Sequence, residues 1–124
     1  MSEINDFRSL LQTVIQHWQQ SAKAYADYME YGKRFRYAEI LKLQNSAVKD
    51  LLTDNEGLIP EDFQKDVADI IEHYIIWTAK WDELKGKMNP GADDEFVFQN
   101  DHRFPKMAAR KLEAYYAENA KVER

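Results

Sequence analysis

This chain predicts an all-α fold. The expected form is an antiparallel bundle of three long helices plus a shorter C-terminal helix, with a long loop at about 86–104. Three observations carry that reading. Phe63, Val67, Ile70, Tyr74, Trp77, Trp81 and Leu84 are spaced 4, 3, 4, 3, 4, 3, which keeps one helix face continuously apolar. A second stripe, Phe7, Leu11, Val14, Trp18, Ser21, Tyr25 and Met29, flanked by Leu10, Ile15 and Ala22, fits one sector of another helix. Only four Gly and three Pro interrupt the 124 residues, too few for a turn-rich all-β domain. Helices this apolar must cover one another.

The length fits one domain, 1–124, and lets the chain bury roughly two thirds of its unfolded surface. The apolar fraction of 44% supports a globular chain.

The first helix is expected at about 5–31, capped by Ser2 or Asn5. Its stripe fails after Met29, because continuing it would put Gly32 and Arg36 in the core. The next apolar set, Tyr37, Leu41, Val48 and Leu52, points more than a quarter turn away. Gly32 is the natural break, and a second helix at about 34–54 follows. One long helix bent at Gly32 is the alternative. Thr53–Gly57 ends the second helix, and Pro60 with Glu61 and Asp62 opens the third. That helix is expected to stop at Lys85, with Lys80, Lys85 and Lys87 at its end and Gly86 beyond. Ile71 and Ile75 widen its main stripe, while Ile76 falls on the opposite side among charged residues. Such a two-sided helix is central in its bundle or lies in an interface. The loop carries Asn89-Pro90-Gly91, then Asp93-Asp94-Glu95, and Phe96, Phe98 and Phe104 are expected to fold back over the bundle. The last helix is expected at about 105–121, with the stripe Ala108, Leu112 and Tyr115.

Most chemistry is without a signature. There is no Cys, so thiol catalysis, disulfides and Cys-based zinc sites are excluded. The Met1–Asp6 stretch has neither a basic nor an apolar region, so no signal peptide is expected and the cytoplasm is the expected location. The longest strictly apolar run, 74–77, is far short of a membrane span. The glycines never cluster as a phosphate-binding loop needs, and no Gly-x-Ser-x-Gly elbow occurs. His17, His73 and His102 stand in no Glu-x-x-His or His-x-x-x-His pattern. Asp93, Asp94, Glu95, Asp101 and His102 do not have the spacing of a calcium loop. Asp62, Asp66, Asp69 and Glu72 lie along one helix face but lack the paired Glu-x-x-Glu of helical pyrophosphatases. No catalytic set, metal or cofactor is therefore expected.

Three binding readings remain. The first is a non-enzymatic protein–protein interaction module that self-associates as a homodimer through Ile76, Tyr28 and Tyr31, because the aromatic excess suggests more apolar surface than one small bundle hides. The second is nucleic-acid or phosphate-ligand binding through Lys33, Arg34, Arg36 and Tyr37, where cations interleave with aromatics. A net charge of −5 disfavours it, and Glu30–Arg34 is an i,i+4 pair that would satisfy one of its cations internally. The third is a small-molecule pocket among Trp18, Tyr25, Trp77 and Trp81, residues whose spacing also suits plain core.

Overall fold

The computed structural model describes residues 4–98 and 103–122, with side chains up to Asn119. It holds four α-helices: α1 (Phe7–Glu30), α2 (Phe35–Asp54), α3 (Gln64–Met88) and α4 (Lys106–Val122). Single 3-10 turns at Glu56–Leu58 and Glu61–Phe63 link α2 to α3. Among the described residues no strand forms, only one isolated antiparallel bridge between Arg34 and Glu95.

The helices close into a ring in which α1 and α3 each pack against α2 and α4. Cross-helix contacts fix every neighbouring pair as antiparallel. On α1 and α2, Ser21 meets Asn45 while Tyr28 packs with Phe35 and Ala38. The Phe7 ring packs tilted against Tyr115 and the Trp18 ring meets Phe104 edge-on, so α4 runs against α1. Lys111 binds Asp66 at 2.9 Å while Phe104 reaches His73, so α4 also runs against α3. Lys42 bonds Asp82 at 3.1 Å, and Lys85 lies over the Phe35 ring.

Local chemistry sets the ends. The cap of α1 is Asp6, one residue beyond the expected Asn5, and Ser2 lies outside the described residues. Its carboxylate accepts from Ser9 N at 2.7 Å, and Ser9 Oγ accepts from Asp6 N in return. This reciprocal capping box satisfies two orphan amides at once. The break at Gly32 is real: Gly32 sits at φ +87° and Lys33 at +54°, so two helices form rather than one bent helix. The third helix overruns its expected stop. Gly86 lies inside α3, and the left-handed cap is Asn89, at φ +47° directly before Pro90. One glycine costs a helix only about 1 kcal/mol, whereas Pro90 forbids continuation.

Two side-chain expectations change. On α1, Tyr25 and Met29 are about half exposed, while Ala24 and Tyr28 are buried. The inward positions Phe7, Val14, Ser21 and Tyr28 step by sevens, so at its end the buried face continues through Tyr28 and not through Tyr25 and Met29. On α3, Ile75 is 53% exposed while Ile76 is only half-buried. α4 and Phe104 cover the flank carrying Asp66 and His73, which draws the buried arc away from Ile75.

The core is split. One cluster joins Phe7, Leu10, Leu11 and Val14 to Val48, Leu52, Val67, Ile70, Tyr74 and Leu112. The other joins Tyr28, Phe35, Ala38, Trp81 and Phe96 near the α1–α2 turn.

Candidate functional site

Between the two core clusters lies an open cavity of about 770 Å³. It takes Trp18, Ser21, Ala22, Tyr25 and Tyr28 from α1 and Ala38, Leu41 and Asn45 from α2. His73, Tyr74, Trp77 and Trp81 come from α3, and Lys106, Ala109 and Glu113 from α4. Phe98 and Phe104 bound it from the connecting segment. The structure thus brings together Trp18, Tyr25, Trp77 and Trp81, which the sequence spacing singled out.

Small side chains make the room. Ser21, Ala22, Ala38 and Ala109 stand where larger residues would close the space. Aromatic rings form most of the wall, and several are locked by polar contacts. Trp18 Nε1 donates to Tyr74 Oη at 2.9 Å. Burial pushes the Tyr74 phenol up to about 12, against the opposing bond from Trp18. Ser21 Oγ donates to Asn45 Oδ1 at 3.1 Å, a polar contact on the cavity wall. His73 is buried with its ring edge-on to Tyr74 and Phe104. Asn45 and His73 are cavity residues that the sequence reading did not assign. Asn45 occupies the inward position between Leu41 and Val48, where a polar residue in an apolar stripe was the available signal.

One wall residue has an unmet donor. Trp81 is 2% exposed and packs between Phe35 and Phe96, at 5.5 and 5.3 Å between ring centres. Its Nε1–H is buried with no hydrogen-bond partner among the described residues. The ammonium groups of Lys42 and Lys85 lie 5.2 and 5.8 Å from its ring centre.

A strap formed by residues 91–98 closes the upper end. It docks on the start of α2, where helix amides lack intrahelical partners. Phe35 N donates to Asp94 O at 2.8 Å and Arg36 N to Ala92 O at 2.9 Å. Phe96 N returns a bond to Lys33 O at 2.8 Å. Tyr28 is the hub: its hydroxyl donates to Phe96 O and accepts from Phe98 N at 3.3 Å. Burial raises the Tyr28 phenol above its ordinary value, against the bond from Phe98 N. Phe98 then packs on Trp77, 5.2 Å between ring centres, at the cavity mouth.

The strap absorbs the basic-aromatic patch. Arg34 Nη1 donates to Asp93 O at 2.8 Å, and its Nε to Tyr31 O at 3.1 Å. Arg36 forms an ion pair with the Asp93 carboxylate. Phe35 is buried, Lys33 and Tyr37 are half-buried, and Tyr37 meets Tyr31 at 5.8 Å. Tyr28, expected at an interface, is instead 6% exposed beneath the strap, because its hydroxyl is needed there. Of the interface candidates, Tyr31 is exposed and Ile76 half-buried.

The acidic groups are distributed rather than gathered. Asp94 accepts from Gly91 N at 2.7 Å, Asp66 binds Lys111, and Asp69 binds Lys65 at 3.2 Å. Asp101 and His102 lie outside the described residues. Among the described residues no three His, Asp or Glu side chains converge as a metal set, and no helix is long and apolar enough to cross a membrane. His17 Nδ1 lies 2.6 Å from Gln44 Oε1.

No known family model, curated protein or solved structure matches this chain.

Proposed function

We propose that this protein is a non-catalytic binding module whose ligand is a small apolar molecule held in the aromatic cavity. One observation carries the reading: about 770 Å³ of space, walled largely by rings, separates the two core clusters. Ligand sites are typically roughly 300–1,000 Å³, mostly apolar, with a few placed polar groups. Here those groups are Asn45 and His73. A close-packed interior does not leave such a space unless small residues maintain it.

The test uses N-phenyl-1-naphthylamine, a neutral dye that brightens in apolar sites. Saturable brightening at one dye per chain is expected, and Ser21→Leu, which fills the cavity from α1, abolishes it while the helical circular dichroism stays unchanged. Dye that binds wild type and Ser21→Leu alike, or not at all, refutes the reading.

A second reading rests on α2. Ile40 and Leu43 are 42% and 62% exposed, three residues apart on the face away from the core. This supports self-association or contact with another protein through that face. Light scattering at high concentration should then give twice the chain mass, and Leu43→Glu should return the monomer. A wild-type monomer rejects self-association. Nucleic-acid binding is not proposed, because Arg34 and Arg36 commit donors to the strap.

A further inference from the structure

Building on the cavity reading, we infer that the ligand is a neutral carbonyl compound with an apolar ring body, whose oxygen accepts from the Asn45 side-chain amide. Three features select this class. The first is the amide itself. Each of the two inward stripes that meet here breaks its apolar pattern once: Ser21 follows Trp18 on α1, and Asn45 stands between Leu41 and Val48 on α2. The two polar residues face each other, with Ser21 Oγ donating to Asn45 Oδ1 at 3.1 Å. That bond uses the amide oxygen and leaves the amide nitrogen, which carries two N–H donors. Asn45 Nδ2 has no partner among the described residues.

The second is access. Asn45 is 8% exposed, on the same inward face as Ala38, Val48 and Leu52, and it lines the cavity. Its Nδ2 is not sealed as the Trp81 indole is. Among the described residues, Arg8 Nε and Trp81 Nε1 are the two unpartnered side-chain atoms without accessible surface. The Asn45 nitrogen therefore keeps surface, and on an inward-facing wall residue that surface opens on the cavity. A buried donor left without a partner is costly, and native proteins seldom keep one. Room alone would need only alanine, as at Ala38, about two turns earlier on the same wall. An acceptor oxygen on a bound molecule meets the donor.

The third is charge. The Lys and Glu side chains that line the cavity, Lys106 and Glu113, both stand on α4, diagonally across the ring from Asn45 on α2. Lys42, the nearest cation along α2, is bonded to Asp82 at 3.1 Å. A carboxylate at the amide would be desolvated without a counter-charge, whereas a ketone, ester or amide oxygen accepts without that cost. The rings of Trp18, Trp77 and Phe98 suit a flat apolar body beyond it.

The test titrates wild type and Asn45→Leu with three probes of matched size. 2-Acetylnaphthalene carries a carbonyl, 2-isopropylnaphthalene replaces it with carbon, and 2-naphthoate is anionic. Leucine is close to asparagine in size, so both neutral probes keep their space and the cycle isolates the amide. The affinity of the ketone relative to the hydrocarbon is expected to fall about tenfold in Asn45→Leu, the ratio for one net hydrogen bond. In wild type the ketone, and not the hydrocarbon, should move the Asn45 side-chain amide protons downfield. Those resonances are identified by their absence from Asn45→Leu. 2-Naphthoate should bind wild type more weakly than the ketone. An unchanged ratio would overturn the amide inference and leave the cavity reading standing. Amide protons unmoved by bound ketone in wild type would overturn it without recourse to the variant. Tightest binding by 2-naphthoate would overturn the neutral class. Failure of all three to bind wild type would remove the cavity reading itself.

Discussion

Replacing Tyr28 by Phe removes one oxygen and should loosen the whole strap. The ring stays, so packing against Phe35, Ala38 and Trp81 is retained. Two bonds are lost. Phe96 O, on a residue with 0% exposure, loses its donor, and Phe98 N loses its acceptor at 3.3 Å. A buried group left unpaired costs about 1–3 kcal/mol, and a half-exposed one that can turn to water costs less. The Phe96 carbonyl dominates, so the expected loss is about 2 kcal/mol. Unfolding entropy of about 2.1 cal/mol/K per residue over 124 residues is about 0.26 kcal/mol/K, so the melting temperature should fall by about 8 °C. Hydrogen exchange separates local from global effects. The Phe35, Arg36 and Phe96 amides bond across the strap, and they should lose protection beyond the global loss, while Leu10 and Ile70 amides follow the global loss alone. A melting temperature within 2 °C of wild type, together with unchanged strap protection, would show that the Tyr28 hydroxyl does not hold the strap.

The Tyr74 phenol, raised by burial to about 12, makes stability fall at high pH. The unfolded chain ionises near the ordinary tyrosine value of 10 while the folded chain does not. The protection is complete below 10 and is lost as pH rises toward 12, about 3 kcal/mol at most. Urea titrations across that range should show Tyr74→Phe losing less stability with pH than wild type, and parallel slopes would contradict it. Two glycines should respond oppositely to alanine in thermal melts. Gly32→Ala meets nothing closer than Arg34 Nε at 3.8 Å, so its cost is the positive φ alone, about 1–2 kcal/mol. Gly86→Ala, inside α3 with open space around it, should gain up to about 1 kcal/mol. Equal signs would contradict the turn at Gly32 or the helix at Gly86.

Periodicity made the helices legible because each must bury a stripe, and the stripe survives whatever lies opposite. The α3 stripe named Val67, Ile70, Tyr74 and Trp81, all buried. The turn at Gly32 was legible because the apolar face changed direction there. What escaped was set by partners. Tyr25 against Tyr28 cannot be decided from α1 alone, because the choice depends on Phe96 arriving from the far end of α3. The sequence suggested Glu30 as a local partner for Arg34, but the carbonyl and carboxylate that Arg34 and Arg36 bind lie 57–59 residues away in sequence. The end of α3 was missed because Gly86 and three lysines imitate a stop, while the decisive residues were Asn89 and Pro90. The cavity was half legible: its tryptophans could be picked out, but the small residues that make the space look like ordinary helix formers.

The cavity follows from a mismatch of lengths. At 1.5 Å per residue, α1 and α3 with 24 and 25 residues extend about 36 Å, whereas the 17 residues of α4 extend about 26 Å. Among the described residues, the ring therefore has no helix on its fourth side for roughly two turns above Phe104. Residues 96–98 return to cover the top of that gap, with Phe96 buried and Phe98 seated on Trp77. Length alone does not keep the middle open. Leucine at Ser21 or Ala109 would fill much of it from either side, and filling apolar space commonly raises stability. The chain instead lines the space with large aromatics and keeps small residues at Ser21, Ala22, Ala38 and Ala109. A core selected for stability alone would reverse both choices. Their combination suits a binding site, which supports the ligand-binding proposal.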